Sequence, residues 1–259
     1  MPIVQINGHS TYIEDSGGNG PTIVLSHGFL MDHEMFAPQV SALRDEFRVI
    51  TWDERGHGQT PAGEPFTYWD SAADVLSILD YFEIERAVLG GMSQGGFLSL
   101  RAALIAPDRV KALVLIDTQA GREDPEVIPL YRSMQAEWIA NGPTAIQEAV
   151  AQLILGNGTP WEPWFAKWAA FPRDGLETPL QCLVERVDIS DRLAEIMCPA
   201  IIFHGDADVS ISLDKAETLR NGLVGCEDLV VVPGGSHASN LTHPNDINDP
   251  LIGFLRRHA

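Results

Sequence analysis

The chain has 259 residues, 45% of them hydrophobic, and carries a formal net charge of −19 at pH 7. That length suits one well-filled α/β core with a small inserted unit. The acidity argues against nucleic acid or an anionic membrane as a partner, and no uninterrupted apolar run is long enough to span a bilayer. Only three lysines occur, Lys111, Lys167 and Lys215, with no basic cluster, so strongly anionic substrates are disfavoured at long range unless a local arginine guides them. The three cysteines, Cys182, Cys198 and Cys226, are odd in number and widely spaced. They show no metal-ligand spacing and read as unpaired thiols of a reducing compartment.

In chain order, Met1 to Gly8 reads as a short strand and turn without a basic-then-apolar leader, so a cytoplasmic protein is expected. Thr22-Ile23-Val24-Leu25-Ser26 is a buried strand that runs into a His27-Gly28-Phe29 turn. Val49-Ile50-Thr51-Trp52 leads into Asp53-Glu54-Arg55-Gly56-His57-Gly58-Gln59-Thr60. Arg86-Ala87-Val88-Leu89-Gly90 is a third buried strand, followed by Gly91-Met92-Ser93-Gln94-Gly95 and a helical run from Gly96 to Leu104. Val110 to Ile116 is a further strand, ending at Asp117. Strand-like runs alternating with helical stretches point to a parallel sheet.

After Thr118 that rhythm stops. Residues 121–196 read as a helical cap inserted into a core made of residues 1–120 and 197–259. Pro125 to Ala140 forms one helix, Asn141-Gly142-Pro143 stops it, and a second runs to about Leu155. Residues 156–160 form a loop, and helical pattern returns over Leu180 to Val187. Trp161, Trp164, Phe165 and Trp168 recur at helical spacing as one aromatic face. Two readings stand side by side: the stripe glues the cap to the body, or some of its rings line a substrate pocket. Met92, Met134, Trp138, Trp161, Trp164 and Trp168 are the candidate pocket residues, with Phe29 beside them. The sheet then resumes with Ala200 to Gly205 and closes with Val230-Val231-Val232.

The chemistry is concentrated in the loops. A serine between a strand end and a helix start sits on a sharp turn, and its flanking glycines admit close backbone approach. The helix N-terminus beneath it favours developing negative charge. Such a nucleophile needs a base, an acid that orients the base, and an oxyanion hole. His237, on the glycine-rich loop Pro233-Gly234-Gly235-Ser236-His237, is the candidate base. Among the other seven histidines, His27 and His57 read as loop braces, His204 as a structural group and His243 as the start of the last helix. His9, His33 and His258 read as exposed. Asp208, after the strand ending His204-Gly205-Asp206, is the candidate acid, with Asp206 bracing the turn and Asp117 as a second candidate acid. The oxyanion donors are the backbone N–H groups of Gln94 and Phe29.

On these motifs the chain resembles the α/β-hydrolase superfamily, in its small bacterial esterase, enol-lactonase and perhydrolase-like branch. The likeness runs from about residue 10 to 258 and is strongest over 21–118 and 198–258. The order Ser93, Asp208, His237 is that family's order. Asp53 to Thr60 is similar to its Asp-x-Arg-Gly-x-Gly-x-Ser segment, with Thr60 in place of serine, and Met197-Cys198-Pro199 also fits. The resemblance implies that Asp53 and Arg55 are structural. It also implies a mainly parallel eight-stranded sheet with helices on both faces and a helical cap over the serine.

The expected function is hydrolysis of a carboxylic ester or lactone through an acyl-enzyme, on a small to medium, neutral, largely apolar substrate, with no metal or organic cofactor. The same triad also suits carbon–carbon or amide hydrolysis, with perhydrolysis as a side activity. From another class, the fold also carries slow-turnover small-ligand-binding proteins.

Overall fold

Alternation along the strands sends successive side chains to opposite faces of one sheet. The strands are β1 Ile3–Ile6, β2 His9–Asp15, β3 Thr22–Ser26, β4 Arg48–Trp52, β5 Ala87–Met92, β6 Val110–Ile116, β7 Ala200–Gly205 and β8 Cys226–Val232. They are seen in a computed structural model that describes residues 3–157 and 160–259. Met1 and Pro2 of the expected first strand, and Gly158 and Thr159 of the expected loop, lie outside the described residues. The order across the sheet is β1-β2-β4-β3-β5-β6-β7-β8. β1 and β2 pair antiparallel, as do β2 and β4. Every pairing from β4 to β8 is parallel.

The helices are α1 Ala37–Leu43, α2 Tyr68–Tyr81, α3 Gln94–Ile105, α4 Ile128–Asn141, α5 Gln147–Ile154, α6 Glu162–Ala170, α7 Glu177–Val184, α8 Leu213–Gly222, α9 Ser239–Thr242 and α10 Pro244–His258. Strands β3 and β5 are buried along their whole length, as a parallel sheet covered on both faces requires. Val24, Leu89, Leu113 and Leu115 face one core with Val75 of α2, Phe97 and Leu98 of α3 and Leu219 of α8. Their neighbours Ile23, Leu25, Val88, Val114 and Ile116 face the other core with Leu43 of α1 and Leu251 and Phe254 of α10. Thr67 starts α2 with a capping box, its backbone N–H donating to Asp70 at 2.8 Å.

Helices α4 to α7 follow β6 and precede β7, in the expected place. The first begins at Ile128 rather than Pro125, after a turn in which the Val127 N–H donates to the Asp124 carbonyl. The second is split, because Pro143–Ala145 is a short 3-10 turn before α5. Among the described residues no helix is long and apolar enough to cross a membrane.

Candidate active site

The turn between β5 and α3 is the tightest place in the sheet. Ser93 holds φ 51° and ψ −114°, a conformation rare for a residue with a Cβ. Gly95 permits it: a Cβ there would lie 1.9 Å from the Ser26 carbonyl oxygen on neighbouring β3. A Cβ on Gly91 would meet the Gly95 carbonyl carbon at 2.3 Å. The glycines therefore let strand, serine and helix stack at backbone distance. Hydrogen bonds fasten the serine backbone, since its N–H donates to the Ile116 carbonyl and the Thr118 hydroxyl donates to its carbonyl at 2.7 Å.

Three loops at the carboxyl ends of β5, β7 and β8 bring Ser93, Asp208 and His237 together. His237 Nε2 lies 3.1 Å from Ser93 Oγ, and its Nδ1 lies 2.8 Å from Asp208 Oδ2. A carboxylate only accepts, so Nδ1 carries the proton and Nε2 is free to accept from the serine hydroxyl. The second Asp208 oxygen accepts from the Ser210 and Ile211 N–H groups at 2.8 and 3.0 Å. Burial alone would lower the His237 pKa, but the Asp208 charge and hydrogen bond outweigh it and hold the ring above its ordinary value. Burial pushes Asp208 the other way from its partners; His237 and the two N–H groups prevail and keep its carboxyl below the usual range.

Asp117, the second candidate acid, makes no hydrogen bond to His237. Its Oδ1 accepts from Gly205 N–H at 2.8 Å, and its Oδ2 accepts from the Ser239 N–H at 2.9 Å and hydroxyl at 2.5 Å. It thus ties the loop that carries Asp208 to the segment that carries His237. Burial first, then the nearby Asp208 charge, raises its pKa. Asp117, His204 and Asp208 each place one possible metal-ligand atom within 4.8 Å of the others. Their oxygens and His204 Nε2, which bonds the Ile211 carbonyl at 2.9 Å, are already committed to hydrogen bonds.

Among the described residues, neither the Phe29 nor the Gln94 N–H donates to another group of the chain. Both stand beside Ser93: Gln94 opens α3, and a Cβ on Gly28, next to Phe29, would lie 3.6 Å from the Ser93 Cβ. Leu30, with φ 63°, continues this loop, and the Trp168 indole N–H from α6 donates to its carbonyl at 2.7 Å.

The remaining readings of the loops divide. His27 accepts from the Glu54 N–H through Nε2 at 2.9 Å and Asp206 accepts from the Gly234 N–H at 2.6 Å, both as braces. Arg55 forms a two-point pair with Asp74 at 2.6 and 2.9 Å, and Asp53 accepts from the His33 and Gln59 N–H groups. His33 is not exposed: it is buried against Asp53 at 2.7 Å, because the β4 loop folds over it. His9 is half-buried on Asp74 at 3.1 Å.

The cavity over the serine is lined by Ser93, His237, Phe29, Phe97, Met134 and Ile154, with Tyr131, Glu123 and Arg186 at one side. Larger hollows of about 210 and 280 Å³ are lined by neither Ser93 nor His237, and Arg186 stands between the serine cavity and the second of them. Of the residues read from the sequence as a pocket wall, Phe29 and Met134 line this cavity. Met92, Trp138, Trp161, Trp164 and Trp168 do not line the cavity. Met92, on the last residue of β5, is buried with its sulfur against Gly28. Trp138, Trp164 and Trp168 pack into the core shared with α1 and α10. Trp161 is half-buried, with its N–H on the Gly156 carbonyl at 2.8 Å. Large rings go where the most apolar area can be removed from water, so the stripe is the joint between insertion and sheet. Arg186 and Glu123 were missed. Arg186 lies just beyond the end of α7, where its Nη1 reaches back to the carbonyl of cavity-lining Leu183 at 3.0 Å.

Residues 21–244 match the family model for the alpha/beta hydrolase fold. The chain is 30% identical over 273 residues to 3-oxoadipate enol-lactonase 1 of Acinetobacter baylyi, covering 98% of this chain and 92% of that one. A thermophilic esterase from Thermogutta terrifontis superposes with a TM-score of 0.90 at 27% identity, over 99% of each chain. The enol-lactonase of Burkholderia xenovorans LB400 does so at 0.89 and 27%, over 98% of this chain and all of that one.

Proposed function

The chain belongs to the α/β-hydrolase family, and on that premise we propose that it is a serine hydrolase that cleaves a carboxylic ester or lactone. The observation that carries the reading is the hydrogen-bonded series Ser93–His237–Asp208, at 3.1 and 2.8 Å, opening into one cavity. Ser93 attacks the carbonyl while Nε2 of His237 takes its proton. Asp208 holds the imidazole in the required tautomer and stabilises the imidazolium that forms. The Phe29 and Gln94 N–H groups receive the oxyanion, with the α3 dipole behind Gln94. His237 then protonates the leaving oxygen, and a water activated by the same ring releases the acid from the acyl-serine. No step calls for a metal or organic cofactor. Residues 121–196 act as the cap that closes the acyl pocket from above. The relatives named for enol-lactone and ester hydrolysis support the same chemistry.

The test is a panel of p-nitrophenyl esters from acetyl to dodecanoyl, with Ser93→Ala alongside. Serine-dependent turnover with a chain-length optimum is the expected result. An intact fold with no serine-dependent turnover on any ester or lactone would remove the proposal.

A further inference from the structure

The cavity over Ser93 is not uniformly apolar. One side carries Arg186, whose side chain is 1% exposed. Its Nε donates to the Gly121 carbonyl at 3.0 Å, and its Nη1 donates to Glu123 at 2.8 Å and to the Leu183 carbonyl at 3.0 Å. Nη2 is buried and meets no acceptor among the described residues. A buried guanidinium N–H without a partner is costly, and the three bonds made by the rest of the group prevent it from turning away. The guanidinium carbon lies 4.4 Å from the centre of the Phe97 ring. Phe97 lines the same cavity and stands one turn of α3 beyond Ser93, its N–H on the Ser93 carbonyl.

Charge narrows the choice of ligand. Glu123 already neutralises the guanidinium, and its other oxygen accepts from the Asp124 N–H at 3.2 Å. An anionic group brought to Nη2 would gain from Arg186 and lose against Glu123, whereas a neutral acceptor meets only the unsatisfied donor. We propose that Arg186 Nη2 determines specificity by binding a neutral acceptor oxygen, such as a ketone, ether or amide oxygen, on the acyl part of the substrate. Arg186 and Ser93 line one cavity, so that oxygen belongs to the part of the substrate held beside the carbonyl attacked by Ser93. This inference rests on the ester-hydrolase reading of the serine site.

Ethyl esters followed by proton release test it. Ethyl 4-oxopentanoate and 5-oxohexanoate are compared with ethyl pentanoate and hexanoate, and monoethyl glutarate supplies a carboxylate. In the unmodified enzyme at least one oxo ester should exceed its parent by roughly tenfold or more in kcat/KM, because only it satisfies the buried donor. Monoethyl glutarate should be the poorest substrate. Arg186→Met should bring the oxo-to-parent ratio to one or below. Glu123→Gln should shift preference toward monoethyl glutarate by uncovering the positive charge. Parent esters that equal or outrun their oxo analogues in the unmodified enzyme would overturn the inference while leaving ester hydrolysis intact. Loss of all serine-dependent ester turnover would take down both. Because the oxo-to-parent ratio is read in the unmodified enzyme, it decides the inference even if a variant fails to fold.

Discussion

The carboxyl ends of the strands and the helical insertion above them use side chains in opposite ways. At the strand ends, backbone geometry comes first: Ser93 at φ 51°, glycines at contact distance, and two loops whose N–H groups are tied together by the Asp117 carboxylate. In the insertion, side chains set everything: Trp138, Trp164 and Trp168 are buried in the joint, while Tyr131, Met134, Ile154 and Arg186 face the cavity. Reacting atoms need sub-ångström placement, which a sheet supplies, whereas selectivity needs only a wall that can vary.

The widest separation should come from the strand ends. Ser93→Ala should lower kcat by about a thousandfold or more, and Asp208→Asn by on the order of 10⁴-fold, because the ring loses its tautomer. Asp117→Asn should cost far less in kcat and mostly stability. An inactive Asp117→Asn beside an active Asp208→Asn would reverse the assignment of the acid.

Within the insertion, Trp168→Ala should lower unfolding free energy by about 3–5 kcal/mol in denaturant titration, since it leaves a cavity and an unpaired Leu30 carbonyl. Its chain-length profile should keep its shape. Met134→Ala should move the optimum toward longer acyl chains with a smaller loss of stability. A Trp168→Ala enzyme with unchanged stability and a shifted optimum would return that ring to the pocket.

The pH profile sharpens the electrostatic half of the comparison. In the proposed mechanism His237 must be neutral to accept the serine proton, and its pKa is held above 6.5 because Asp208 outweighs burial. The acid limb of kcat/KM should therefore fall with an apparent pKa above 6.5. In Asp208→Asn the raising charge is gone and burial remains, so residual activity should persist to lower pH. An acid limb unmoved by that substitution would mean that another group controls it.

The smallest effect belongs to the ion pair between the two regions. Lys167 of α6 reaches Asp32 at 2.5 Å and Glu34 at 3.1 Å and is partly exposed. Lys167→Ala should cost no more than about 1 kcal/mol, and less at high salt. A larger loss would make charge, rather than buried aromatic area, the glue of the joint.

Local pattern was enough to locate the strands, the serine turn, the helices between β6 and β7 and the loops that carry Ser93, Asp208 and His237. Each depends on neighbours in the chain: alternation for a strand, glycine for a turn, a strand end for a loop residue. The direction in which a side chain points within the insertion was not legible. A stripe at 3.6-residue spacing shows that Trp161, Trp164 and Trp168 share a face, but not what that face meets. Burial decided it: Trp164 and Trp168 join the core that holds Leu30, Met31 and Phe36 beyond the end of β3, which left the cavity wall to Met134, Tyr131 and Ile154. The partnerships of His33 with Asp53 and of Arg186 with Glu123 likewise join residues 20 and 63 positions apart. Only the folded chain brings such residues together, because desolvation and charge act through space and leave no periodic trace in the sequence.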